Sequence, residues 1–517
     1  MKDAAGNLSS LASVSSGAPA VAAVPQSATR RPREWEEKLK PKLDFLFLVI
    51  LLGAVGFAGM RRVSAAADPD LWWHVRTGEW IFQHGSIPRQ DMFAWVTMGK
   101  PWVDYTWLFD LLAAKLFSGF SYRGLLSMTA TLSLLNIAAL TALLARYTYL
   151  IRALVLSTCA YVGMMPVATP RPWLFTILFF TIGLSLLLQA CERANPWWLL
   201  PIVPLMALWA NIHVQFVYGV ALVGLFALQQ SIPAFRHEAY PAPNGRVRLP
   251  AIWLWSLLAA SSLVTLANPR GWRLYTVVYE YATEKATLNF IQEMQSPSFR
   301  DLASWLALGL VCLGWFALGR SHGRTFALSV LMAASCYCAF LRMRDIWFPM
   351  IVSTLVIAQW WGMDASPRRA MPWKGWMAAL ALSLACALPI HGLGVSNAAA
   401  QKLIDETYPV KACDFVISHG LPGPLYNSFN WGGYLIWRMP ELPVSIDGRT
   451  NVHDDDRVTQ SARSFAGAES WARDKELIAA RTILIERSAA LASVLRASPK
   501  FRVLYEDQVA MVIQPAM

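Results

Sequence analysis

The residues 67–81 read AlaAspProAspLeuTrpTrpHisValArgThrGlyGluTrpIle and place two carboxylates, Asp68 and Asp70, two positions apart in a strongly aromatic setting. A carboxylate at the edge of a bilayer can take a proton from a hydroxyl as a general base. Two carboxylates this close in sequence can also hold a divalent cation, Mg²⁺ or Mn²⁺. The local geometry they predict is a helix start, with Asp68 as N-cap, Pro69 at the first helical position and Asp70 favoured by the helix dipole. Leu71, Trp72, Val75 and Trp80 then dock into the membrane interface, and Gly85 ends the helix.

Further polar residues collect at the ends of apolar runs. Arg171 sits in ThrProArgPro, Asn211 and His213 in TrpAlaAsnIleHis, Asn268 and Arg270 in AsnProArgGlyTrp, and Arg342, Arg344 and Asp345 in ArgMetArgAsp. Arginine suits phosphate recognition because its planar fork of donors matches phosphate oxygens. AspGlyArgThrAsn at 447–451 and HisAspAspAsp at 453–456 have a metal-like composition but read as a solvated turn after a strand. No nucleotide-binding glycine loop, catalytic Ser/His/Asp order or paired CysXaaXaaCys is present, and the seven cysteines do not form a disulfide set.

The elements that position these groups are mostly membrane spans. The chain has 517 residues, 56% hydrophobic and only 15% charged, with 24 Trp and a mean hydropathy of +0.38. This excludes an ordinary soluble enzyme, a secreted disulfide scaffold and a disordered protein. A leader of residues 1–42, rich in Ala, Ser, Gly and Pro, ends in Arg30, Arg31, Arg33, Lys38, Lys40 and Lys42 and reads as a flexible cytoplasmic tail. Spans are expected at 43–60, 124–145, 150–168, 172–190, 197–211, 214–232, 251–267, 302–319, 325–341, 346–363 and 375–395. The run 105–120 is too short and carries Asp110 and Lys115, which suits a helix at the interface.

Eleven spans put Arg146, Arg152, Arg193, Arg236, Arg246, Arg248, Arg320, Arg324, Arg368, Arg369 and Lys374 in the cytoplasm, as the positive-inside rule requires. The long loops 61–123 and 268–301 then lie outside. So does residue 396 onward, where 13 Lys+Arg meet 14 Asp+Glu although the whole chain carries +12. The basic excess therefore encodes topology, and no nucleic-acid partner is expected. In the C-terminal segment, β-rich runs at 444–447, 482–485 and 509–513 alternate with helical patterns near 398–418 and 465–481, and GlyGly at 432–433 is a turn signal. The predicted fold class is a polytopic α-helical membrane protein, N-terminus in and C-terminus out. A transmembrane domain (43–395) precedes a small extracytoplasmic α/β domain (396–517).

This order of parts resembles the GT-C superfamily of membrane glycosyltransferases: a first span, an aspartate, an outer loop with two short helices (69–84 and 105–120), many further spans and an outer C-terminal domain. AspProAspLeuTrpTrpHis, the ArgPro and TrpAlaAsnIleHis segments, and TrpGlyGlyTyrLeuIleTrp with IleAspGlyArg (431–449) look like a branch of bacterial membrane proteins grouped with it. The resemblance implies that Asp70, with Asp68, is the catalytic or metal-binding acid. A second acid has candidates in Asp104, Glu293 and Asp345. It also implies a polyprenyl-phosphate-linked sugar donor and a glycan, lipid or protein acceptor at the outer face of a bacterial cytoplasmic membrane. Arg171, Arg270, Arg342 and Arg344 are the expected phosphate ligands, and His74, Asn211, His213 and Asn268 the expected substrate contacts. Two other readings compete. A lipid-linked sugar flippase or other transporter is disfavoured by span interiors almost free of charge, and an envelope-assembly scaffold would leave Asp70 without a role.

Overall fold

The helices of the membrane region follow from composition. Tyr122–Leu144, Leu150–Val167, Trp173–Arg193 and Leu302–Arg320 are long and apolar enough to cross a membrane. Shorter apolar helices occupy Pro196–Ile212, Phe216–Ser231, Ala251–Ala267, Phe326–Leu341 and Trp347–Gly362, at the places expected for other spans. Polar side chains inside these helices satisfy themselves locally. The hydroxyls of Thr129, Ser133 and Thr141 donate to carbonyls four residues earlier, which removes the cost of an unpaired donor in an apolar setting.

The computed structural model describes residues 45–46, 48–49, 68–235, 248–283, 289–320, 325–362, 374, 377, 381 and 396–516. These residues belong to one compact unit. The basic leader, nearly all of the expected first span and the expected last span therefore lie outside the described residues.

The two short helices of the loop that precedes Tyr122 are Leu71–His84 and Trp107–Phe120. The first begins two residues later than the sequence indicates. Asp70 is its N-cap residue, yet its side chain makes no capping bond. Asp68 Oδ1 instead accepts the Asp70 N–H at 3.0 Å, a local turn that leaves the Asp70 carboxylate unused by the helix. Leu71, Trp72 and Val75 are buried against protein rather than lipid, and Gly85 ends the helix with a positive φ as expected.

Residues 396–516 carry helices Asn397–Thr407 and Val410–Ser418 and a four-stranded sheet of β1 (Leu425–Asn427), β2 (Thr482–Glu486), β3 (Phe501–Glu506) and β4 (Ala510–Pro515). The strand order is β1-β2-β4-β3, parallel between β1 and β2 and antiparallel elsewhere. Side chains alternate between two covered faces, so β2 and β4 read as nearly continuous apolar runs. Tyr426, Ile483, Ile485, Met511 and Ile513 pack on Leu477, Leu491 and Leu495. Leu425, Leu484, Ala510 and Val512 share a core with Trp72, Trp73, Phe93 and Trp102 of the loop that precedes Tyr122. Trp72 is fully buried at the centre, edge-on to Phe117, Tyr122, Tyr408 and Tyr434 with ring centroids 5.3–6.0 Å away, and 4.8 Å from Trp437. The helix that follows Asp70 is thus bolted to the C-terminal segment.

Three readings of that segment change. GlyGly at 432–433 opens the helix Gly432–Arg438 instead of a turn. Val444 forms only an isolated bridge to Ala94, outside the four-stranded sheet. The 447–453 stretch is not a solvated turn, because Asp447, Arg449 and His453 are all buried. Arg449 donates from Nη1 to Asp91 at 2.8 Å, and from Nε and Nη2 to Asp447 at 2.8 and 2.7 Å, while its guanidinium lies over Phe93 and Trp102. Burial alone would raise the Asp447 carboxyl, but Arg449 and His453 hold it far below the usual carboxylate range.

Candidate active site

The acids and bases singled out in the sequence meet in a cavity of about 510 Å³. It is lined by Asp68, Asp70, His74, Arg171, His213, Glu293 and Arg344 together with Tyr105, Tyr281, Phe429, Asn430, Gly448 and Thr450. The loop that precedes Tyr122, the ends of several apolar helices and the C-terminal segment all contribute.

Arg171 organises the charges. Its Nε donates to both oxygens of Asp68 at 2.7 Å, and its Nη1 donates to Glu293 Oε1 and forms an ion pair with Asp70 Oδ2, each at 2.8 Å. Nη2 has no partner among the described residues, so two N–H groups remain for a ligand. The guanidinium carbon is 4.7 Å from the Trp173 ring centroid, and that apolar face fixes its plane. Glu293 comes from a single 3-10 turn, Gln292–Met294, whose following residue Gln295 accepts the Met343 N–H at 2.8 Å. This bond carries the 289–295 strip to the Arg344 turn. Of the three candidates for a second acid, Glu293 is the one beside Asp70. Asp345 is buried and accepts from Gln215 at 2.9 Å, and Asp104 is buried behind the cavity wall.

Burial raises the Asp70 carboxyl to about 7; Arg171 opposes this, while Asp68 and Glu293 reinforce it. A base with a pKa close to neutrality combines a usable ionised fraction with real proton affinity. Gly448 explains why Asp70 faces the cavity in one orientation. A Cβ on Gly448 would stand 1.9 Å from Asp70 Oδ1, so only glycine lets this strip of backbone close over the carboxylate. Gly433 likewise approaches Pro69, where a Cβ would stand 2.4 Å from the Pro69 carbonyl oxygen. The WGGY and IDGR segments, 361 or more residues after Asp70, are therefore the clamp on the Asp68–Asp70 turn.

Four expected contact residues stand behind the cavity instead of on its wall. Asn211 accepts the Trp107 indole N–H at 2.9 Å and pins the two helices together. Asn268 donates to the Ala210 carbonyl and accepts the Arg270 N–H, each at 2.8 Å, which makes it a turn former. Arg270 lies close enough to Asp104 to pull its carboxyl down, although burial raises that group to about 6. Arg342 donates to the Tyr281 carbonyl at 3.0 Å and supports the wall from outside.

The donor set does not fit a divalent ion. Asp68, Asp70 and Glu293 all spend oxygens on Arg171, and among the described residues no three His, Cys, Asp or Glu side chains are placed to hold a metal. A guanidinium stands where the acidic groups converge.

No protein-family model matches the sequence, and no curated protein is significantly similar to it. Solved structures are similar in fold. One is the archaeal oligosaccharyltransferase AglB from Archaeoglobus fulgidus in complex with an inhibitory peptide and a dolichol-phosphate, at a TM-score of 0.53 and 12% identity over 87% of this chain and 70% of that one. Another is the Archaeoglobus fulgidus oligosaccharyltransferase tethered to an acceptor peptide, at a TM-score of 0.51 and 11% identity over 94% and 75%. A weaker likeness, at 0.43 and 14% identity, is to ArnT from Cupriavidus metallidurans bound to undecaprenyl phosphate. At these identities the likeness is one of fold: the chain shares the overall architecture of these oligosaccharyltransferase structures.

Proposed function

We propose that this protein is a membrane glycosyltransferase that moves a sugar from a polyprenyl-phosphate-linked donor to an acceptor hydroxyl. The observation that carries the reading is the pairing of a near-neutral carboxylate, Asp70, with a guanidinium that keeps two donors free, inside a cavity at the ends of apolar helices. The fold supports it, since one similar structure is a complex with a dolichol-phosphate. The reading places eleven spans with the cavity on the outer face of a bacterial cytoplasmic membrane, residues 1–42 inside and 396–517 outside. The acceptor is a glycan, a lipid or a protein.

In this reading Asp70 takes the proton of the acceptor hydroxyl as its oxygen attacks the anomeric carbon. The bond from that carbon to the phosphate oxygen breaks, its electron pair leaves with the lipid phosphate, and the configuration inverts. Arg171 and Arg344 stabilise the departing charge where water is scarce. No step runs through a metal ion, because the Arg171 guanidinium stands where the acidic groups converge.

The test is Asp70→Asn and Asp68→Asn in the purified protein, assayed for binding and turnover of polyprenyl-phosphate sugars. Asp70→Asn is expected to bind the lipid phosphate and lose transfer. A wild-type protein that neither binds nor cleaves such donors would end this reading.

A further inference from the structure

Two histidines on the cavity wall are anchored from behind in the same way. His74 places Nδ1 2.6 Å from Asp110 Oδ1, with the Thr106 hydroxyl 3.5 Å away. His213 places Nδ1 2.8 Å from Thr176 Oγ1. Both imidazoles line the cavity although each residue is only 3–5% exposed, and neither Nε2 has a partner among the described residues.

Hydrogen-bond bookkeeping decides which nitrogens carry protons. The Trp209 indole can only donate, and it donates to Thr176 Oγ1 at 2.9 Å. Among the described residues, the Thr176 proton has no acceptor other than His213 Nδ1. In the neutral ring that leaves the proton on Nε2. For His74, charge balance decides. A buried acid–imidazole pair is cheapest when its net charge is zero, which means two protons in all. Whether the shared proton sits on Asp110 or on Nδ1, the second proton is on Nε2. Burial raises Asp110, with Asp104 adding to the effect. It lowers His74, where nearby Arg171 and His213 act in the same direction. The groups facing the His74 ring are thus Arg171, His213, Asp110 and Thr106, with Asp70 one turn earlier on the same helix and Asp104 behind Asp110.

We infer that His74 and His213 form a paired Nε2–H cradle for the lipid phosphate beside Arg171, with Asp110 and Thr176 as positioning residues that set the tautomers. Neutral N–H donors complement the guanidinium: they fix the phosphate oxygens without adding charge that would quench Asp70. This inference rests on the glycosyltransferase reading.

The experiment measures the affinity of undecaprenyl phosphate, free of sugar, for the detergent-solubilised protein by calorimetry. His74→Ala and His213→Ala should each weaken binding about tenfold, the size expected for one hydrogen bond to a charged group. His74→Gln and His213→Gln, which return an N–H near the Nε2 position, should recover most of the loss. Thr176→Val should weaken binding and Thr176→Ser restore it, a rescue that a packing role would not give. Monodisperse elution and wild-type melting temperatures confirm folding of each variant. Wild-type affinity in both folded alanine variants overturns the cradle while leaving the transferase reading in place. A wild-type protein that does not bind undecaprenyl phosphate overturns both.

Discussion

Replacing Gly448 by alanine should disable the chemistry while sparing the fold. The added Cβ would lie 1.9 Å from Asp70 Oδ1 and 3.0 Å from its Cγ, against an ordinary contact of 3.4 Å or more. Something must therefore move by about 1.5 Å, and the packing decides which side yields. Gly448 is held between rigid neighbours: Asp447 and Arg449 are 0–1% exposed and locked to each other and to Asp91. The Asp70 carboxylate is the end of a short side chain, about 20% exposed and paired with Arg171. It swings, and the cost to folding stays near 1 kcal/mol or less. A displacement of this size in a reacting group costs on the order of 10²-fold in rate. Steady-state transfer should thus show kcat down about 100-fold, with undecaprenyl phosphate affinity within about threefold of wild type, because Arg171 keeps Asp68 and Glu293. Wild-type kcat in Gly448→Ala would refute the placement of this strip over the base. Equal losses in binding and stability would show that the backbone yields instead.

Other outcomes follow from the same geometry. Transfer at limiting donor should rise as pH passes upward through about 7, since Asp70 acts ionised, and its folded pKa is raised by burial; Asp70→Asn should abolish both the rate and this inflection. The same shift makes the Asp70 contribution to stability fall as pH rises from about 4 to 7, because the folded state then holds a proton that the unfolded chain has lost. Arg449→Leu leaves Asp91 and Asp447 buried without their cation and should cost about 3–5 kcal/mol in chemical denaturation. Chelation with EDTA should leave transfer within about twofold of the untreated rate, since Arg171 occupies the focus of the acids.

Much of the cavity lining was anticipated by the expected topology, which is read from loop charges. Siding the loops by Lys and Arg groups Asp68, Asp70, Arg171, His213 and Arg344 at one expected surface, and these five line the cavity together with His74. Asn211, Asn268, Arg270 and Arg342 shared that surface but not the wall, since sequence places a residue at a helix end and not the direction of its side chain. The contribution of residues 429–450 was not legible as part of the site. AspGlyArgThrAsn has the composition of an exposed turn, and only docking against Asp91 and Trp102, far away in sequence, buries it. Long-range packing of this kind leaves no period in the sequence. The helix start was misplaced by two residues because Asp68 can cap a turn as readily as a helix.

The two aspartates divide the work unevenly, and Arg171 shows how. Asp68 holds Nε with both oxygens and also accepts the Asp70 N–H, so it fixes both the arginine and the turn. It is 6% exposed and has little freedom to approach a substrate. Asp70 shares Nη1 with Glu293 and holds it through one oxygen, which leaves Oδ1 under Gly448 to meet an acceptor. Removing charge at the two positions should accordingly have different signatures. Asp68→Asn loosens Arg171 and weakens lipid phosphate binding, whereas Asp70→Asn leaves that binding and removes the base. Two residues that look interchangeable in sequence separate into a support and a reactant because only one of them retains an oxygen free of the arginine.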